Sequence, residues 1–483
     1  MARSKRQSTS QKAQGTSIFA FDDMSKAFWG FAAFALFVAF LGGASRYDVE
    51  SLPFLRAVSV LVLAFAVWKM PAERLRAVKW PLILLAALAI TMLLQLIKLP
   101  PSIWQEFAGR SIVYRIGEAA GMDDVWRPIT FSPASTWNSL AALSVPAAAL
   151  VLLAWMRRSE RRDALWVFIG IGALSALFGI MQIAMPGSTG LYLYDITNNG
   201  EAVGLFANRN HNAIVCGVAL LAAIDRLQED WSRFDLSMRI GGGAIAALLV
   251  IGILVNASRA GLLVLVLVFV LTSIRQLFML LRGGGNRAYR AALAALPIIG
   301  ASLLAVALFV QDSLPAIDRL REQNPLGEDP LGEQRTQLLP YFWEMLRDHM
   351  PWGAGFGAFE QAYRTIEPAE MLGPRYLNQA HNDWIQFFIE GGAAAAVIFV
   401  LFAVLLARAA WRAFGSGELS GQARRQTQLA LLLLGLFSVG SLVDYPLRTP
   451  SGMVFAIYCL AIALRPIAAE ADSLQVAHSQ PKS

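Results

Sequence analysis

Charge is scarce in this chain. Only 16% of its 483 residues are Asp, Glu, Lys or Arg, against about 25% in a soluble domain, which excludes an ordinary water-soluble globule. Cysteine is scarcer. Cys216 and Cys459 both fall inside long apolar runs, so neither a disulfide framework nor a metal site is expected. No internal repeat of clear period is present, and no low-complexity segment outside the polar ends. The glycines of GAGFGAF (353, 355 and 357) lack the surrounding strand–helix unit that a nucleotide loop requires, and they read as a turn.

What the chain does have is apolar length. Hydrophobic residues make up 56% of it, and runs near the roughly 20 residues needed to cross a bilayer recur throughout. The reading is an all-α polytopic membrane bundle of about 12 transmembrane helices, at 27–44, 54–69, 80–97, 138–156, 164–184, 210–225, 240–256, 260–274, 291–310, 382–407, 429–444 and 450–465. The first of these follows a basic segment and is read as an uncleaved signal anchor. The organisation expected is a basic tail at 1–26, nine spans over 27–310 with an outer loop at 98–137, a cap at 311–381, three spans over 382–465, and a second tail at 466–483.

Orientation follows from the short loops. RRSERR at 157–162 is crowded with arginine, whereas the 45–53 loop holds only Arg46. The positive-inside rule then places both termini in the cytoplasm and the long loops outside. By the same argument the net charge of +7 reflects cytoplasmic loops and not a nucleic-acid surface. The first outer loop, with LPPSIW at 99–104, is expected along the membrane interface. In the second, Leu338, Phe342, Met345 and Leu346 have helical spacing over Glu333 to His349, ending at Pro351-Trp352-Gly353.

This topology points the N-termini of spans 6, 8, 10 and 12 outward. Helix N-termini carry unpaired N–H groups that favour anions, and an arginine beside them adds a planar fork suited to phosphate oxygens. Arg209 stands before span 6 among Asn208, Asn210 and Asn212; Arg259 stands before span 8, after the candidate N-cap Ser258. His381, Asn382 and Asp383 form the mouth of span 10, and DYPLRTP at 444–450 brings Asp444 and Arg448 to the same face. His211 is a second base candidate. Each also has a plain structural role open to it: headgroup anchor, helix cap or interfacial histidine. Asp383, Gln386 and Glu390 share one helical stripe, and Glu390 reads first as a buried tie to another helix.

The succession NRNHN, SRAG opening an apolar helix, and a long outer loop ending in HNDWIQFFIEGG resembles the O-antigen ligase and polymerase superfamily, over about residues 200 to 465; DYPLRTP fits some members as well. The first half of the chain matches nothing residue by residue. The resemblance implies a GT-C-like fold in the bacterial inner membrane and a partly helical periplasmic loop. It implies a glycosyltransferase that moves a glycan from undecaprenyl diphosphate to an acceptor sugar at the periplasmic face, independent of metal and cofactor. The acceptor is lipid A–core for a ligase, or another lipid-linked repeat for a polymerase. Carried onto this chain, His381 is the general base and Arg209 and Arg259 hold the donor diphosphate. Asn208, His211, Asn382, Asp383 and Arg448 are further candidates. A base and a leaving group on opposite sides of the anomeric carbon predict inversion. A polymerase with the same donor and a flippase for lipid-linked sugars are the alternatives.

Overall fold

Apolar runs with no water to satisfy their backbone must close their hydrogen bonds within helices, and the computed structural model is built almost wholly from them. It describes residues 24–185, 187–256, 258–281, 330–369, 372, 377–419 and 421–465. The main helices are α1 (Lys26–Leu41), α2 (Ser51–Lys69), α3 (Lys79–Gln95), α4 (Ser144–Trp155), α5 (Leu165–Ala184), α6 (Arg209–Asp230), α7 (Leu236–Val255), α8 (Arg259–Leu281), α9 (Pro330–His349), α10 (Asp383–Ala410), α11 (Gly421–Val443) and α12 (Pro450–Ala463). Seven helices among the described residues are long and apolar enough to cross a membrane. Shorter apolar helices cover Lys26–Leu41, Ala260–Gln276 and Pro450–Ala463. The span expected at 291–310 lies outside the described residues, as do the tails 1–23 and 466–483.

The expected 210–225 span is the middle of the bundle. α6 packs against α5, α7, α8 and α11, and every residue from His211 to Ala223 is buried. Its small residues, among them Ala213, Gly217 and Ala219, let neighbouring backbones approach closely. Cys216 in α6 and Cys459 in α12 are free, buried thiols.

The two ends of the bundle differ in chemistry. At one end Arg162 and Arg226 each reach Asp230 at 2.8 Å, Arg275 pairs with Asp225, and Glu160 accepts from the amide and hydroxyl of Ser25, the N-cap of α1 (both 2.7 Å). The other end carries a cap. There α9 buries Leu338, Phe342 and Met345 in a small second core with Phe359, Tyr363 and Ile389.

The 98–137 loop joins this cap. It contains a two-residue antiparallel pair, β1 (Lys98–Leu99) with β2 (Arg127–Pro128), and the Phe131 amide donates to the Ala354 carbonyl at 2.9 Å. Arg110, almost fully buried, donates to the carbonyls of Ile129 (2.6 Å) and Gly353 (3.0 Å). Burial lowers its pKa to about 9. The Phe107 ring stacks on Trp352 at 4.6 Å. The described parts of the two long loops are therefore one packed unit.

The stretch expected at 382–407 lies within one that is long and apolar enough to cross a membrane, but its helix is kinked: α10 breaks at Gly392 (φ 57°, ψ −140°). A Cβ there would lie 2.2 Å from the Pro351 carbonyl oxygen, and one on Gly353 2.3 Å from that of Glu390. Only two glycines permit that crossing. The groups freed by the break find partners in the cap: Ala354 N–H donates to Ile389 O, Gly355 N–H to Glu390 O, and Ala393 N–H to Pro351 O (2.9, 2.9 and 2.8 Å). The GAGF stretch is thus a turn, as expected, that stitches the cap to the helix. Beyond the break about 18 residues remain, roughly 27 Å of helix, enough to span most of a bilayer core. Glu390 sits two residues before the break.

Candidate functional site

Helix capping assembles the site. Asn208 caps α6, its side-chain oxygen accepting from Asn210 N–H at 2.7 Å. Ser258 caps α8 through Gly261 N–H at 3.2 Å. Asn382 caps α10 through Trp384 and Ile385 (3.0 and 3.1 Å), and Thr449 caps α12 through Gly452 (3.1 Å). Side chains then tie these starts together. Asn256 donates to the Arg209 carbonyl at 2.7 Å, Ser258 to the Asn210 side-chain oxygen at 2.5 Å, and Asn382 to the Leu442 carbonyl at 3.0 Å.

Asp444 lies at the junction, fully buried. Its Oδ2 accepts from Asn210 Nδ2 at 2.6 Å and Asn208 Nδ2 at 3.3 Å. Its Oδ1 accepts from the Tyr445 N–H at 2.9 Å, with His211 Nε2 at 3.3 Å and His381 Nδ1 at 3.6 Å. The Tyr445 ring stands edge-on between the two imidazoles, 4.9 Å from His211 and 5.0 Å from His381. Burial pushes the Asp444 pKa up, but the imidazoles of His211 and His381 outweigh it and hold the carboxyl well below the usual carboxylate range. An ionised carboxylate fixed against an imidazole is the arrangement that orients a general base.

His381 has a backbone φ of 49°, the only non-glycine residue with positive φ among the described residues. That strain is offset by its surroundings, since Asn382 immediately after it caps α10. Strained residues of this kind concentrate at functional sites.

A second polar group lies beside the first. Arg448 reaches Glu390 through Nη1 and Nη2 at 3.3 and 3.1 Å and Asp383 through Nε at 3.3 Å. Asp383 also accepts from Ser441 Oγ (2.9 Å) and Leu447 N–H (3.2 Å), and Gln386 donates to Glu390 at 2.9 Å. The helical stripe read from the sequence is thus one face turned toward Arg448, and Glu390 is a buried tie between α10 and the 444–450 turn.

The sequence candidates therefore separate. Asn208, His211 and His381 meet at Asp444; Asn382 is a cap; Asp383 and Arg448 form the neighbouring cluster. Arg209 opens α6, but its guanidinium pairs with Glu201 at 2.6 Å. Arg259 opens α8 close to the start of α6; its side chain lies outside what the structure describes. Asp444 was placed on this face by sequence but not among the candidates, and Tyr445 and Glu201 were missed. DYPLRTP was the available signal for the first two. Nothing local marks Glu201.

An amphipathic cavity of about 400 Å³ opens beside the Arg448 cluster, its apolar wall formed by residues such as Leu88, Phe402 and Leu460 and its polar end by Arg56, Asn378 and Asp383.

Fold and site define a polytopic α-helical membrane protein with a histidine–carboxylate centre where four helices begin. The family model described as O-antigen ligase matches residues 244–400, about a third of the chain, a stretch that holds Arg259 and His381 but not Arg209 or Asp444. The match supports the O-antigen ligase and polymerase superfamily, and with it a membrane glycosyltransferase of the ligase or polymerase type. No curated protein matches the chain.

Proposed function

We propose that this protein transfers a glycan from undecaprenyl diphosphate to an acceptor sugar at the periplasmic face of the bacterial inner membrane, in the manner of an O-antigen ligase. The observation that carries the reading is the buried Asp444 carboxylate shared by His211 and His381. His381 takes the proton of the acceptor hydroxyl. Asp444 orients it and stabilises the imidazolium that forms. His211, on the same carboxylate oxygen, stands as a second positioning group.

A sugar activated by diphosphate needs charge stabilisation on its leaving group. Arg209 and Arg259, beside the N-termini of α6 and α8, supply it in this reading. In the resting protein Glu201 occupies the Arg209 guanidinium, and a phosphate oxygen of the donor takes its place. Attack by the acceptor opposite the leaving group inverts the anomeric centre. A product that keeps the donor's configuration would remove that step.

The test is glycan transfer by His381→Ala and Arg259→Lys proteins, with the amount of each in the membrane measured alongside. Loss of transfer at normal abundance supports the assignment; undiminished transfer in both ends it. A donor given with and without lipid A–core separates the two acceptor classes, because chain elongation without core identifies a polymerase.

A further inference from the structure

Of the charged side chains that line the amphipathic cavity, all but one have charged partners. Arg46 is held by Asp48 at 2.9 and 2.6 Å. Glu360 binds Arg364, and Asp383 and Glu390 share Arg448. Arg56 is the exception. It sits in the second turn of α2, a helix long and apolar enough to cross a membrane, and lines the cavity. Among the described residues its one polar partner is the side-chain oxygen of Asn138, a neutral group. Its Nε is buried with no acceptor at all. A guanidinium that lines a cavity and has no carboxylate partner of its own has donors to spare for an oxyanion.

The rest of the lining says what carries that anion. Amide side chains (Gln361, Asn378, Gln379) and the Tyr47 and Trp384 rings surround the polar end. Asp383 and Glu390 share a single arginine and keep acceptor lone pairs, which suits sugar hydroxyls. Beyond them the wall is apolar, through Leu84, Leu88, Ile398, Phe399, Phe402 and Leu460. The volume lies within the range of roughly 300–1,000 Å³ usual for ligand pockets.

We propose that this cavity seats a phosphate-bearing glycolipid, with the phosphate on Arg56, the sugar among the amides and Asp383, and the chain along Leu84, Leu88 and Phe402. The inference deepens the transfer reading. Asp383 and Arg448 line the cavity two residues after His381 and four after Asp444, so a bound sugar lies next to the histidine–carboxylate centre. This seat uses neither Arg209 nor Arg259. Two sources share its chemistry, a polyprenyl diphosphate donor and a phosphorylated, acylated acceptor.

Photoactivatable versions of both lipids, added separately to the full-length protein in nanodiscs, test the proposal. Labelling by at least one is expected on the walls around Leu88 and Phe402, and which lipid labels names the seat as donor or acceptor. Arg56→Gln is expected to reduce labelling about tenfold, the scale of a lost charge-assisted hydrogen bond, with Arg56→Lys intermediate. Leu88→Trp, which fills the wall without touching the polar end, is expected to block labelling as well. Labelling elsewhere overturns the proposal. So does competition by neutral diacylglycerol as effective as by the phosphate lipid, or undiminished labelling of Arg56→Gln. His381→Ala retains the label while losing transfer, so failure of the cavity assignment and failure of the transfer reading are read separately.

Discussion

Replacing Asp444 by asparagine changes almost nothing in shape and removes one charge from the centre of the site. The native carboxylate accepts on both oxygens. Oδ2 faces the amide groups of Asn208 and Asn210, and Oδ1 faces the Tyr445 N–H and the two imidazoles. Asparagine offers one acceptor and one donor. With its NH₂ at the Oδ2 position it meets two amide donors; flipped, it meets a backbone N–H 2.9 Å away. Either orientation leaves buried donors unsatisfied at about 1–3 kcal/mol each, so a loss of about 2–4 kcal/mol in stability is expected.

The effect on transfer is larger. An oriented base contributes about 10²- to 10⁴-fold, and Asp444→Asn removes its orienting charge. Transfer measured in proteoliposomes, normalised to folded protein, is expected to fall by at least about a hundredfold. Thermal unfolding in detergent reports the stability change separately. Asp444→Asn protein that transfers glycan at near the native rate would refute the base–carboxylate pairing and, with it, the assignment of His381.

Arg448→Ala strands Asp383 and the fully buried Glu390, and an unpaired buried charge costs about 3–5 kcal/mol; protein level in the membrane is expected to drop, with partial recovery in Arg448→Ala/Glu390→Gln. Gly392→Ala imposes a side chain at φ 57°, 2.2 Å from the Pro351 carbonyl oxygen. Strain of at least about 1–3 kcal/mol follows, read as faster proteolysis within the cap. His349, packed 5.2 Å from Phe131 in the cap, has its pKa lowered by burial to about 4, with the nearby Arg110 charge acting in the same direction. Its folded value lies below its unfolded one of about 6.5, so the unfolded cap binds the extra proton in between. Cap stability is therefore full above about pH 6.5 and declines toward pH 4 by about 3 kcal/mol, measurable by hydrogen exchange; His349→Phe is expected to flatten that dependence.

Much of the architecture was legible because solvation by lipid is a blunt selector. Scarce charge and apolar runs are enough for a polytopic bundle. The stop at Pro351-Trp352-Gly353 and the spacing of Leu338, Phe342 and Met345 are enough for a cap helix. Helix starts were legible too: Asn208, Ser258 and Asn382 are residue types whose side chains replace the missing backbone partner, and all three do so here. The break at Gly392 was less visible. Glycine inside an apolar run is tolerated in membrane helices, and what makes it a break is the backbone of residues 351–355 crossing beside it.

Composition and local pattern therefore determined, without help, that this chain is a polytopic membrane protein and where several of its helices begin. Hydropathy and capping depend on near neighbours and survive in the sequence. Tertiary structure alone decided that Asp444, 63 residues after His381 and 233 after His211, is the group both imidazoles share, that Arg209 faces Glu201, and that Arg56 looks into the cavity. A contact between distant segments follows from how helices pack, and packing depends on the shape of the whole bundle.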